Sequence, residues 1–309
     1  MDEVRGRDAT WTFDLEYLRI APGHGRGVHK LRQAIGELSV PVEAIAGTSY
    51  EPGRKGGRLR LRLREGADPL TQATGGLLGD SADPYLLAVD TGQTGTGQYF
   101  VEAVRTALLV QQVSQDPVPG YLLPAPSVPI SATAGDGTAT FDGEFVRLDW
   151  GWMAKEGKQE AGPVQLALSD VTSVEWRPQS GFGYGYLRFQ TRGVTTLPAP
   201  EHDRNSLAWG VQREGGTTAL VAAAVVSRLP HPVGGPAALP VPGSRDLNST
   251  GVNPPGPNSP GPNSRGPNSP GADDPDAMLR RLRELGELHK SGILTDGEFT
   301  AAKQKLLGL

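Results

Sequence analysis

Arginine and leucine alternate strictly from Arg58 to Arg64, which is the sharpest polar and apolar pattern in the first half of the chain. A period of two predicts a strand with one face buried and the other exposed. The leucines would face a core, and the exposed face would carry Arg58, Arg60, Arg62 and Arg64. The Pro- and Gly-rich segment before it, which contains Arg54 and Lys55, predicts a turn.

Two later segments have a helical period instead. Phe100, Val101, Val104 and Leu108 predict an amphipathic helix from about Tyr99 to Gln112. A second helix is predicted by apolar residues at Leu220, Val221, Ala224, Val225 and Leu229. Each helix follows several short strand-like segments. The pattern therefore predicts strands closed by one helix, in two successive blocks.

The two blocks are copies of one another. Thr12-Phe13-Asp14, Glu16 and Arg19 return with the same spacing as Thr140-Phe141-Asp142, Glu144 and Arg147. The two motifs are 128 positions apart. A repeat of this length is too long for a solenoid unit and suits a duplicated globular domain. We place the copies at 9–115 and 137–230, with an inter-domain linker at 116–136. A feature present in both copies is expected to serve the fold.

The rest of the chain has a different character. Residues 231–275 are rich in Pro, Gly, Asn and Ser, and a Gly-Pro-Asn-Ser unit recurs there at Gly256, Gly261 and Gly266. This composition predicts a disordered linker. Residues 276–309 predict a helical hairpin that is too small to bury its own core. Its apolar face, which we expect to bind another copy or another protein, comprises Leu279, Leu282, Leu285, Leu288, Ile293, Phe299 and Leu306.

Composition narrows the class of protein. The net charge of −4 does not favour a nucleic-acid partner. The absence of cysteine excludes disulfides, zinc–thiolate sites and thiol catalysis. The longest apolar run, from Ala219 to Val226, has only 8 residues and is too short to span a bilayer. We expect a cytoplasmic protein without a transmembrane segment.

The arginine face is the main candidate for ligand binding. Guanidinium groups bind phosphate and carboxylate groups through paired hydrogen bonds, so Arg54, Lys55, Arg58, Arg60, Arg62 and Arg64 are candidate contacts to an anionic surface. The alternative is a solvated sheet face neutralised by acids on neighbouring strands. The second copy has Tyr186, Arg188, Gln190 and Arg192 at the equivalent positions, so the full charge is not needed by the fold.

Other motifs give weaker signals. The glycine-rich loop from Thr91 to Gly97 lacks the Lys-Ser/Thr of nucleotide-binding loops. The spacing of His24 and His29 fits no metal motif. Trp150 to Met153 is expected to pack under a turn rather than to form an exposed contact. We expect no catalytic residues, no metal and no cofactor.

The chain resembles two known families. Arg58 to Leu70, Tyr121 to Pro124 and Gly135 to Gly143 are similar to the actinobacterial domain of unknown function DUF4429, which occurs in tandem. The tail, through Leu282, Leu285, Gly292 to Thr295, Glu298-Phe299, Lys303 and Leu306-Leu307, resembles the short C-terminal domain SHOCT. The element order resembles pleckstrin-homology domains.

These resemblances imply a mainly β fold with α-helices. Two tandem pleckstrin-homology-like split barrels, each closed by a C-terminal helix, would be followed by the disordered linker and the α-helical hairpin. They imply a non-enzymatic interaction or scaffold protein whose tail mediates oligomerisation or partner docking. The alternative is a peripheral binder of anionic lipid or another anionic surface through the Arg58–Arg64 strand face.

Overall fold

The computed structural model describes residues 2–54, 56–181, 183–193, 196–210 and 215–234. The predicted disordered linker beyond residue 234 and the predicted helical hairpin lie outside the described residues. Lys55 also lies outside them.

The first copy consists of two antiparallel sheets and three helices. One sheet has the strand order β1-β2-β3-β4, and the other has the order β5-β6-β7. Short helices α1 and α2 lie between β3 and β4 and between β6 and β7. The bounds are β1 Asp2–Arg5, β2 Ala9–Phe13, β3 Tyr17–Pro22, α1 Lys30–Ile35, β4 Leu38–Pro41, β5 Ile45–Gly53, β6 Gly56–Leu63, α2 Pro69–Thr74, β7 Leu86–Val89 and α3 Thr94–Val110.

The second copy repeats this order without a counterpart of α2 among its described residues. Its sheets have the orders β11-β10-β9-β8 and β12-β13-β14. The bounds are β8 Ile130–Ala134, β9 Gly137–Phe141, β10 Phe145–Trp150, α4 Glu156–Ala161, β11 Val164–Ala167, β12 Val171–Arg177, β13 Gly185–Thr191, β14 Ser206–Trp209 and α5 Thr218–Val226.

The predicted fold class, mainly β with α, is confirmed. The strands of the described residues form four antiparallel sheets, none of which closes into a barrel. Both predicted closing helices are present as α3 and α5. The repeated unit starts earlier than the sequence indicates, since β1 and β8 precede the predicted starts at residues 9 and 137. Strand β8 therefore lies inside the stretch that we assigned to the inter-domain linker.

The repeated Thr-Phe-Asp motif forms the same turn in each copy. The Oδ1 of Asp14 accepts hydrogen bonds from the backbone N–H groups of Glu16 and Tyr17. Asp142 Oδ1 accepts the equivalent bonds from Glu144 and Phe145. These bonds favour the carboxylate and lower the pKa of both aspartates. The motif is repeated because its aspartate satisfies the hairpin turn between the second and third strands of each sheet.

The two copies share a hydrophobic core. Helix α2 of the first copy packs against α5 of the second. Leu70 and Ala73 of α2, with Leu31 and Ala82, join the core cluster that is otherwise built from the second copy. All residues of α5 from Thr218 to Val225 are buried. Helix α5 is therefore covered on the side that faces its own sheets and on the side that faces the first copy.

The chain after α5 returns to the first copy. The Nε2 of His231 lies 2.9 Å from the carbonyl oxygen of Gly66. Its Nδ1 accepts the backbone N–H groups of Val233 and Gly234, which makes Nε2 the donor. The ring also packs edge-on against Tyr121, with centroids 4.6 Å apart. This contact attaches the end of the second copy to the loops that surround α2.

Candidate functional site

The arginine strand has the orientation that its pattern predicts. Leu59 and Leu61 of β6 are buried, and Arg58 and Arg62 are exposed. Arg60 is half-buried. The strand pairs with β5 on one side and, over its first half, with β7 on the other. The arginines thus lie on the outer face of the three-stranded sheet.

Most of these arginines have partners within the fold. A guanidinium nitrogen of Arg58 lies 2.6 Å from a carboxylate oxygen of Asp80, and one of Arg60 lies 3.5 Å from Asp83. Arg64 donates to the carbonyl oxygens of Glu43 and Asp116. Among the described residues, Arg62 makes no ion pair. The four side chains therefore do not form a continuous unpaired basic surface.

Comparison of the two copies shows which arginines of β6 have an equivalent in the second copy. Arg60 and Asp83 correspond to Arg188 and Asp203 of the second copy, whose side chains are 2.7 Å apart. Because the pair occurs in both copies, we assign Arg60 to the fold. Arg58 and Arg62 are replaced in the second copy by Tyr186 and Gln190, which do not carry positive charge.

Arg58 borders a cleft in the first copy. This cleft has a volume of about 510 Å³ and lies between the β1–β2 turn, the β5–β6 turn, and β7 with the loop before it. Arg7 also lines it and forms an ion pair of 3.2 Å with Asp90. Glu51 and Asp80 lie in the same walls. Its charges are mixed, so the cleft is not a simple basic pocket.

The second copy has a smaller cleft in the equivalent place. It has a volume of about 220 Å³ and is lined by Asp136, Lys155, Tyr184 and Glu201, among other residues. The two clefts therefore occupy equivalent positions in their copies but differ in volume and in the charges that line them. Such a difference is expected when two copies of one fold have taken different roles.

Sequence reasoning missed a buried cation in each copy. Lys158 of α4 is fully buried, and its Nζ contacts Asp136 at 2.6 Å. The same ammonium donates to the carbonyl oxygens of Ser206 and Pro200, which satisfies all three of its protons. It also lies 4.7 Å from the ring centroid of Trp150. The lysine thus joins the β8–β9 turn, the loop before β14 and α4.

Arg32 of α1 has the same role in the first copy. Its guanidinium lies 2.9 Å from Asp8 and donates to the carbonyl oxygens of Asp83 and Leu86. The side chain is 2% exposed. Burial is the largest influence on both cations and lowers the pKa of Arg32 and of Lys158, against the attraction of their aspartates. Burial likewise raises the pKa of Asp136.

The two buried cations share a short sequence pattern. Arg32-Gln33 is followed by Gly36, and Lys158-Gln159 is followed by Gly162 with the same spacing. Gln33 and Gln159 both donate to a backbone carbonyl before the helix. Aligning the copies over this segment would have revealed a basic residue that is common to both.

Trp150 and Trp152 of the second copy lie in different environments. Trp150 is half-buried, and its Nε1 donates to the carbonyl oxygen of Gly162 at 3.0 Å, as the expected packing requires. Trp152 is 87% exposed, so the expectation that it packs under the turn was wrong. The loop curves back through a hydrogen bond from Ala154 to Gly151, which leaves the Trp152 ring outside.

The described residues contain no group of three or more His, Cys, Asp or Glu side chains arranged to hold a metal ion. In the same part of the chain, no helix has the length and apolar character needed to cross a bilayer.

Comparison with family models gives two matches. The model described as domain of unknown function DUF4429 matches residues 11–105 and 139–226, which together make up more than half of the chain. The model of the short C-terminal domain SHOCT matches residues 280–307. No curated protein matches the chain. Each DUF4429 match lies within one of the two structural copies.

Proposed function

The chain belongs to the DUF4429 family, and from this premise we propose that it is a non-enzymatic interaction protein of the cytoplasm. Its tandem copies form the body, and its SHOCT tail binds a second copy of the chain or another protein. The observation that carries this proposal is the SHOCT match at residues 280–307, which spans most of the leucine face predicted from the sequence.

The physical support for a binding role of the tail is that the tail is small but rich in apolar residues. A hairpin of roughly 30 residues cannot bury enough apolar surface to be stable by itself. Leu282, Leu285 and Leu306 would remain accessible to a partner. A long linker raises the effective concentration of such a module near anything that the body already contacts, so weak contacts can combine.

The first prediction concerns the oligomeric state. We expect the full chain to be oligomeric and a chain that ends at Asp274 to be monomeric, because the truncation removes the leucine face. Light scattering coupled to size exclusion measures both masses. A Leu282→Asp/Leu285→Asp variant of the full chain should behave like the truncated chain. A control that leaves the leucine positions unchanged, Lys290→Ala, should behave like the full chain.

A monomeric full chain would contradict self-association and would leave docking of a different protein as the role of the tail. An oligomer that persists in the truncated chain would place the association in the body instead. Either result would be visible as a change in mass, without any knowledge of a partner.

A second candidate function is binding to an anionic surface. It is supported by the exposure of Arg58 and Arg62 on one strand and by their replacement with uncharged residues in the second copy. Arg54, in the turn before β6, adds a third exposed positive charge. Clustered arginines near a membrane surface each contribute roughly 1 kcal/mol to binding of anionic lipid.

The corresponding prediction is a salt-sensitive association with vesicles that contain phosphatidylserine. We expect an Arg58→Glu/Arg62→Glu variant to lose most of this association in a sedimentation assay, because both changed residues are exposed. Arg60 is left unchanged, since its pairing with Asp83 serves the fold. The matched control is Arg26→Glu/Arg204→Glu, which makes the same change of charge at exposed positions elsewhere. Equal loss in both variants, or no association at low salt, would contradict specific binding by this strand.

A further inference from the structure

A cavity of about 160 Å³ lies between the two copies. Leu31, Leu78 and Ala82 of the first copy form one side of it, and Trp176 and Trp209 of the second copy form the other. All five belong to, or pack against, the core cluster that the copies share. The cavity is therefore part of the inter-copy packing and does not exist in either copy alone.

The lining of this cavity differs in charge from the clefts described above. None of the described residues that line it is Lys, Arg, Asp or Glu. The cleft of the first copy contains Arg7 and Arg58, and that of the second copy contains Lys155 and Glu201. Apart from His29, no described residue of the lining has a side chain that can carry a charge, so a charged ligand would gain little there to offset its lost hydration, which is unfavourable. The lining selects for an uncharged, mainly apolar molecule.

The aromatic wall is held rigidly. The rings of Trp176 and Trp209 lie 6.1 Å apart with an interplanar angle of 41°. The Nε1 of Trp176 donates to the hydroxyl of Thr218 at 3.0 Å. Trp209 packs closely between two glycines, since a Cβ at Gly185 would lie 2.0 Å from its ring and one at Gly215 would lie 2.6 Å from it. A wall fixed in this way loses little conformational entropy when a flat ligand binds.

The opposite wall opens to solvent. Gly79 lines the cavity beside the buried Ala82 but is itself exposed, and a Cβ added there would meet no atom within 4 Å. An apolar cavity of roughly 150 Å³ in another protein is large enough to hold benzene. The present cavity has a similar size and two indole rings in its wall.

We propose that this cavity binds a small uncharged aromatic molecule of one or two fused rings. The ligand would contact both copies at once. Binding sites at domain interfaces commonly have this combination of apolar walls and a few polar groups, which Ser81 and Gln179 supply here. Because the ligand binds only when the copies are packed together, it also stabilises their packing.

The test uses indole as the probe and the full chain as the protein. The chain has 5 tryptophans, and their Nε1–H groups give separate signals in a nitrogen–proton correlation spectrum. We expect the signals of Trp176 and Trp209 to shift saturably at roughly millimolar indole. The signals of Trp11, Trp150 and Trp152, which do not line the cavity, should stay in place. Indole-3-acetate, which adds a negative charge, should shift none of them at the same concentration.

Variants that fill the cavity complete the test. Gly79→Leu and Ala82→Leu each place a larger side chain in the cavity wall, and we expect either to weaken indole binding by about tenfold or more. Gly120→Leu is the matched control, because a Cβ at Gly120 also meets no atom within 4 Å but Gly120 does not line the cavity. The control should bind indole as the unchanged chain does.

Three results would overturn the proposal. The first is the absence of any saturable shift at Trp176 and Trp209 in the unchanged chain, which needs no variant to fold. The second is a shift that persists in both filled variants. The third is a shift confined to the exposed Trp152, which would show that indole binds only at the surface.

Discussion

Replacement of Leu70 by alanine is expected to lower the free energy of unfolding of the tandem body by about 2–4 kcal/mol. Leu70 lies on α2 of the first copy and is buried in the core cluster of the second. Its removal leaves a cavity against α5, which has no polar face to turn towards water. Urea unfolding of the full chain, followed by tryptophan fluorescence, measures the loss.

Leu109→Ala provides the control for this prediction. Leu109 is also a helical leucine, but it lies on α3 and is 79% exposed. Its replacement should change the free energy of unfolding by no more than about 0.5 kcal/mol. The Leu70 variant should additionally shift the indole signal of Trp209, although Trp209 belongs to the other copy. Similar free energies for the two variants would contradict the inter-copy packing described here.

The difference between α3 and α5 explains why this packing matters. Helix α3 has exposed residues along its outer side, including Tyr99 and Glu102. The residues of α5 at the corresponding turns, Leu220 and Ala223, are buried. A helix that is apolar on all sides must be covered on all sides. The second copy therefore depends on the first, whereas the helix of the first copy can face water.

Sequence patterns sufficed for the elements with a strong period. The alternation from Arg58 to Arg64 predicted β6, and the apolar spacing after Tyr99 predicted α3. The helices α1, α2 and α4 were not predicted, because each has only 6 residues and is too short to show a period. Helix α2 was within reach, since Asp68-Pro69 combines an N-cap aspartate with proline at the first helical position.

The pairing of the copies could not be predicted from the sequence. The apolar run from Ala219 to Val226 showed that α5 would be buried, but not which surface would cover it. The answer depends on α2, an insertion of the first copy that packs on a helix about 150 positions later. Contacts of this range follow from the assembled tertiary structure and leave no local pattern.

The contacts of the candidate arginines also could not be predicted from the sequence. Their common face followed from the alternation, whereas their partners did not. Asp80 and Asp83, which pair with Arg58 and Arg60, lie in the loop before β7. Comparison of the copies supplies what the strand pattern lacks, because the Arg188–Asp203 pair identifies Arg60 as structural. Arg58 and Arg62 remain the two candidates without a charged equivalent in the second copy.

The buried cations are the feature for which the duplication gives the strongest evidence of a structural role. Arg32 and Lys158 differ in chemistry, yet each contacts an aspartate of the first hairpin turn and the carbonyl oxygen of the first residue of the last strand of its copy. What the fold retains is a positive charge with enough donors at this position. Either side chain supplies them, because the acceptors are arranged around it on three segments.

Replacing Lys158 with alanine is therefore expected to be the most destabilising single change in the second copy. Removal of one partner from a buried ion pair typically costs about 3–5 kcal/mol, since the other charge is left buried without compensation. Here Asp136 would lose its ammonium partner, and the carbonyl oxygens of Ser206 and Pro200 would lose their donor. Urea unfolding of the full chain measures the change, and Lys155→Ala, an exposed lysine next to the same helix, should change it by no more than about 0.5 kcal/mol.

A double variant separates the ion pair from simple loss of packing. In Lys158→Met/Asp136→Asn both charges are removed, the methionine keeps much of the buried volume, and the new amide oxygen can still accept the backbone N–H of Ala208 as Asp136 does now. We expect this variant to be more stable than Lys158→Met alone, which has the same side-chain volume at position 158, because no charge is left buried without a partner. If the double variant instead loses as much stability as Lys158→Met and Asp136→Asn lose in sum, the unpaired charge is not the cause. The stability at this position would then depend on the lysine's contacts with the carbonyl oxygens and with the Trp150 ring.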